Sequence, residues 1–154
     1  MMNKPAIELS GLSYRYPEES KNALEKISLE IFEGEAIFLC GNSGSGKTTL
    51  GKTITGAIPH FYGGTIQGKI SFKGKNLLEL SHLERGKAVT MVFQDPEVQL
   101  LMNKVHHEIA FGLENLGVEP EGIKRKVWES MEFCNILSLW DREISTLSGK
   151  KKKK

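Results

Sequence analysis

"GNSGSGKTT", Gly41 to Thr49, is the stretch on which the reading of this chain turns. It satisfies G-x-x-x-x-G-K-[ST] through Gly41, Gly46, Lys47 and Thr48. Each residue type has a physical task. Gly44 and Gly46 let the backbone enter conformations that a Cβ would hinder. Consecutive N–H groups from Gly41, Asn42, Ser43, Gly44, Ser45 and Gly46 can then turn inward as an anion nest. The helix that opens near Lys47 adds the positive end of its dipole. Lys47 supplies a point charge for the β- and γ-phosphates, and the Thr48 hydroxyl is placed to hold Mg²⁺. Thr49 closes the loop. The flanks agree with this reading. "AIFLC", Ala36 to Cys40, is a short apolar run that predicts a strand covered on both faces. "TTLGKTITG", Thr48 to Gly56, predicts a helix through Leu50 and Ile54, punctuated by Gly56 and Pro59.

Outward from the loop, other elements follow from periodicity. Ala6 to Tyr16 has strand character, with Ile7 and Leu9 on one face, and Pro17 to Asn22 is a polar turn. Ile27, Leu29 and Ile31 alternate with polar neighbours, a period of two that predicts a half-buried strand ending at Glu33-Gly34-Glu35. Gly63 to Lys75 alternates and is glycine-rich, which predicts one or two short antiparallel strands. "AVTMVF", Ala88 to Phe93, is a second buried-strand candidate. Beyond it Val105, Ile109, Gly112, Leu113 and Leu116 share a helical face, and Ile123, Val127 and Met131 repeat at helical spacing. Gly117 and Pro120 separate these two helices. Antiparallel strands, a strand–loop–helix unit, another strand and then helices make an α/β pattern.

Composition narrows the partners. Of 21 basic residues in this 154-residue chain, five are the terminal lysines, which leaves 16 against 19 acidic side chains. A mildly acidic body gives no support for nucleic-acid binding. No apolar run approaches the ~18 residues of a membrane span. Cys40 and Cys134 lie far apart without metal spacing, and reduced, mostly buried thiols are expected. His60, His82, His106 and His107 likewise show no ligand spacing. Phe61 and Tyr62 are expected to pack, and Trp128 and Trp140 to serve the core or a docking surface.

A phosphate loop indicates a nucleoside triphosphate without saying what becomes of it. Three further stretches resemble the ATP-binding cassette (ABC) family, the ATPase domains of transporters. "VFQDP", Val92 to Pro96, resembles its Q-loop, and "LSG", Leu147 to Gly149, the opening of its signature motif. "LSYRYP", Leu12 to Pro17, resembles the segment whose aromatic residue stacks on adenine, with Tyr16 at that position. "DPEVQ" and "IAFGLENLGV", Ile109 to Val118, are similar to ATPase subunits of energy-coupling factor transporters, which import vitamins and metal ions. A small P-loop kinase is the minor alternative.

The resemblance implies a P-loop NTPase with an antiparallel β subdomain, an incomplete parallel core sheet and a helical subdomain, all within residues 6–149. It implies ATP and Mg²⁺ as cofactors. Gln94 would contact Mg²⁺ and the attacking water, and Ser148 and Gly149 the γ-phosphate held on a second ATPase subunit. The helices after Gln94 would dock on a transmembrane coupling subunit, placing the protein on the cytoplasmic face of the membrane through that partner alone. The family's Walker-B carboxylates and switch histidine lie beyond its signature motif, and no residue of this chain takes their places. Asp95 fits the Q-loop better than Walker B. The chain is therefore expected to bind ATP or dock without turning ATP over, as the start of a longer subunit. Two core strands would be missing between "AIFLC" and "AVTMVF", leaving them about 14 Å apart. Lys150 to Lys154 are expected to be disordered, marking a cut rather than a working tail.

Overall fold

The computed structural model describes residues 4–147. Ser148, Gly149 and the lysines fall outside them, so the expectations for those residues do too. Two compact units divide the chain, residues 1–91 and 92–154.

The first unit is built on one antiparallel sheet. Its strands are β1 (Ile7–Arg15), β2 (Leu24–Ile31), β3 (Thr65–Phe72) and β4 (Lys75–Asn76), in the order β2-β1-β3-β4. β1 does not keep a simple alternation, because Leu9 and Leu12 are both buried despite their odd spacing. A bulge explains it: four residues of β1, Leu9 to Leu12, run against three of β2, Leu29 to Ile27. The same extra residue appears against β3, between Ser10 and Ser13. Gly11 and Gly68 both take positive φ there, and a Cβ on Gly68 would sit 2.5 Å from the Gly11 carbonyl oxygen. The sheet carries Leu9, Leu12, Tyr14, Leu24 and Ile70 into one core with Leu50 of α1 (Lys47–Ile54), Ile58 of α2 (Ala57–His60) and Leu77.

Both expected parallel strands are corrected. Residues 36–40 form no strand, and Phe38 is 90 % exposed, with Ile37 at 47 % and Leu39 at 49 %. A strand exists only through hydrogen bonds to neighbours, and no strand of the described residues lies beside this segment. Cys40 is exposed rather than buried. "AVTMVF" fails for a second reason. A helix, α3 (His82–Ala88), takes its first residue, and Val92 is 84 % exposed. Sequence reasoning missed α3, although Ser81 and Glu84 spell its start. The Ser81 hydroxyl accepts from the Glu84 N–H at 3.2 Å, and the Ser81 N–H donates to the Glu84 carboxylate at 2.9 Å. The Ser81 hydroxyl, 2.7 Å from the Glu84 carboxylate, and then the Ser81 N–H hold the Glu84 carboxyl below its usual range. Phe61 and Tyr62 are not core residues either. Phe61 is exposed, and Tyr62 carries the Lys52 ammonium 3.9 Å from its ring centre.

α3 also buries a charge. Arg85 donates to His60 Nε2, to His82 Nδ1 and to the Leu80 carbonyl, each at 2.8 Å. Both imidazole nitrogens must be unprotonated to accept. Desolvation first, and then the Arg85 charge, lower the His60 pKa below 6.5, with His82 adding to the effect and the Leu78 backbone opposing it. A histidine lowered on folding contributes stability above its unfolded pKa and loses it as pH falls through the folded value. Melting temperature is accordingly expected to drop between about pH 7 and 5. His60→Gln, which keeps an acceptor but cannot titrate, should flatten that slope; an unchanged slope refutes the assignment.

The second unit is helical. α4 (Val105–Asn115) and α5 (Pro120–Phe133) pack through Val105, Ala110, Val127 and Met131, joined by Leu139, Ile144 and Leu147. The expected helical spacing is observed. The Trp140 ring stacks on His106 at 5.0 Å, and Trp128 is partly exposed.

Candidate nucleotide-binding site

The loop from Gly41 to Gly46 is tied at few points. The Ser45 N–H donates to the Asn42 carbonyl at 3.2 Å, which folds Ser43 and Gly44 into a turn. Gly44 (φ 79°) and Gly46 (φ 90°) are left-handed. At Gly46 the need for glycine is twofold, since a Cβ would also meet the Ala23 carbonyl oxygen at 2.7 Å and Leu24 Cδ2 at 3.2 Å. The chain thus enters α1 pressed against the start of β2.

α1 begins at Lys47 without a side-chain cap. Its first N–H groups therefore face outward for an acceptor, as an anion site requires. The Lys47 ammonium lies back across the loop. It donates to the Gly41 carbonyl at 2.8 Å and the Asn42 carbonyl at 2.7 Å, and lies 3.4 Å from Ser45 Oγ. A positive charge, helix N–H groups and glycine backbone converge within one loop. Asn42, Ser43, Ser45 and Thr48 are exposed around it, so the Thr48 hydroxyl is free to reach a metal ion outside the fold.

The next residue turns the other way. Thr49 is buried, its carbonyl accepts from Thr53 Oγ1 at 2.8 Å, and its hydroxyl meets the Tyr16 hydroxyl at 3.1 Å. Tyr16, half-buried one residue past β1, also makes a T-shaped contact with Tyr14 at 4.9 Å. Tyr14 is fully buried, and its hydroxyl donates to the Gly63 carbonyl at 3.0 Å. Burial, followed by the proximity of Tyr16, raises the Tyr14 pKa. The structure therefore brings Tyr16 against the first turn of α1, a juxtaposition that spacing alone did not reveal.

Gln94 belongs to the second unit, on an exposed bend. After it, Asp95 Oδ1 accepts from the Glu97 N–H at 3.2 Å and caps a 3₁₀ turn, Pro96–Gln99. The Gln99 side chain accepts from the Phe93 N–H at 3.1 Å and closes this loop, a role sequence reasoning did not assign. Among the described residues, no three His, Cys, Asp or Glu side chains gather as a metal site. None of the described helices is long and apolar enough to cross a membrane.

Comparison with known proteins places this geometry. The family profile described as ABC transporter matches residues 24–154. A putative ABC transporter ATP-binding protein of Methanosarcina mazei is 40 % identical over 149 residues, covering 96 % of this chain and 30 % of the relative. A second, from Caldanaerobacter subterraneus, is also 40 % identical over 149 residues, covering 96 % of this chain and 26 % of its own length. This chain thus spans less than a third of those curated relatives. Among solved structures, cbiO1 from Clostridium perfringens, described as part of the ABC transporter complex cbiONQ, superposes with a TM-score of 0.78. It is 27 % identical, and the match covers 97 % of this chain and 58 % of that one. A nucleotide-free ATP-binding cassette superposes at 0.75 with 23 % identity, covering 97 % and 61 %. The fold is that of a P-loop ABC ATPase, with an antiparallel sheet and helices.

Proposed function

This chain belongs to the family of ABC transporter ATP-binding domains, and from that membership we propose that it binds Mg²⁺–ATP as part of the ATPase subunit of an energy-coupling factor-type importer. The observation that carries the proposal is the loop in which Lys47 lies across the Gly41 and Asn42 carbonyls ahead of an uncapped α1. Gly41 to Thr49 would hold the phosphates, Thr48 and Gln94 would ligate Mg²⁺, and Tyr16 would stack on adenine. Ser148 and Gly149 would meet the γ-phosphate on a second ATPase subunit. A Cβ at Gly46 would collide with the Ala23 carbonyl behind it, so the loop takes this path only with glycine there.

The importer reading is supported by the likeness to cbiO1, part of a transporter complex, and by the Ile109 to Val118 stretch. In that reading the helices of the second unit dock on a transmembrane coupling subunit. They bring the protein to the cytoplasmic face, and the solute is a vitamin or a metal ion. Membership of the family favours this over a small kinase. For the chain itself the proposal is binding without turnover. Asp95, the carboxylate nearest the Q-loop glutamine in sequence, is engaged as a cap. Calorimetry should show Mg²⁺–ATP binding, while phosphate release should match that of a Lys47→Ala control. Lysine-dependent hydrolysis would overturn the second half of the proposal, and absence of binding the first.

A further inference from the structure

We propose that Thr49 is a positioning residue for the base end of the nucleotide site, holding the Tyr16 ring in place through its hydroxyl. The inference rests on the nucleotide-binding reading and deepens it. Thr49 follows the Mg²⁺-ligand position Thr48, yet it is 8 % exposed and its hydroxyl lies 3.1 Å from that of Tyr16. Its backbone is held as well, because Thr53 Oγ1 donates to its carbonyl. The hydroxyl is thus presented from a fixed point on α1.

The ring it meets is constrained on another side. Tyr16 makes a T-shaped contact with Tyr14, which is fully buried and anchored to the Gly63 carbonyl. Gly64 next to that anchor is left-handed, and a Cβ there would collide with the Arg15 carbonyl oxygen and the Tyr14 ring, so the backbone closes around Tyr14. Tyr16 is therefore set by two contacts: one to the sheet through Tyr14, the other to the phosphate-binding helix through Thr49. The second fixes the distance between an aromatic face and the phosphate loop. A base–aromatic contact benefits when the ring does not have to be ordered on binding. The ligand class is a nucleoside triphosphate whose base and phosphates are bound at once.

The full chain is tested with Mg²⁺–ATP and with Mg²⁺–tripolyphosphate, which lacks the base. Tyr16→Phe keeps the ring and removes the hydroxyl, and Thr49→Val keeps the shape and removes the partner. Each should lower the ratio of ATP to tripolyphosphate affinity by roughly three- to tenfold, the range for one lost hydrogen bond. The double variant should be no worse than either single one, and Thr49→Ser should restore the ratio. Tyr16→Phe should leave tripolyphosphate affinity unchanged, a split that general destabilisation would not produce. Independent losses that multiply in the double variant, or equal losses for both ligands, overturn the tether while leaving the nucleotide reading intact. A wild-type chain that binds neither ligand overturns both.

Discussion

Lys47→Ala is expected to weaken Mg²⁺–ATP binding by roughly 10- to 150-fold, the worth of one charge-assisted phosphate contact at about 1.5–3 kcal/mol. The ammonium reaches two loop carbonyls and Ser45 Oγ, so it stands over the path a phosphate would take. Its removal deletes the one lysine within the loop. The fold should survive, because Lys47 contributes nothing to the buried cluster formed by Leu9, Tyr14, Leu50 and their neighbours. Calorimetric titration of both proteins, with circular dichroism as a control for folding, decides the matter. Equal affinities in two folded proteins would remove the loop from the account of binding.

Gly46→Ala is expected to damage both binding and stability. A left-handed alanine costs about 1–2 kcal/mol in backbone strain alone. The added Cβ would also press within 2.7 Å of the Ala23 carbonyl oxygen. That carbonyl cannot retreat freely, since the Ala23 N–H is bonded to the Tyr14 carbonyl at 2.8 Å. The entry to α1 must shift instead, carrying the N–H groups that would meet phosphate out of line. ATP affinity should fall more than tenfold and the melting temperature by several degrees. Gly44→Ala is the matched control. Its φ is also positive, yet no atom lies within 4 Å of the new Cβ, so only the conformational strain remains. Equal losses for the two substitutions would refute the role given to Ala23.

The loop was legible because its residue types are dictated locally: glycine for φ, lysine for charge, a hydroxyl for the metal. The sheet was legible for a related reason, since alternation in β2 and β3 records which face meets the core. The errors arose where one signal served two outcomes. A short apolar run such as Ala36 to Cys40 says that a segment would pair if strands lay beside it, not that they do. Ala88 looked like a strand residue because the capping pair Ser81 and Glu84 went unread, although the S-x-x-E spacing was in view. Partnerships between distant residues left no local trace at all. Neither Arg85 against His60 nor Tyr16 against Thr49 shows in any spacing, because the chain closes those distances only on folding.

The bare segment before the loop also has a consequence for the protein's lifetime. Residues 36–40 hold four apolar side chains and a cysteine, with no charge and no proline. Short uncharged runs of this kind stack readily with copies of themselves. In a cell, chaperones and proteases sort proteins by how much such surface is presented, and usually meet it only in the unfolded fraction. Here the folded chain presents it continuously. Its abundance would therefore be governed less by the free energy of unfolding than by how soon another stretch of polypeptide covers Ile37, Phe38 and Leu39.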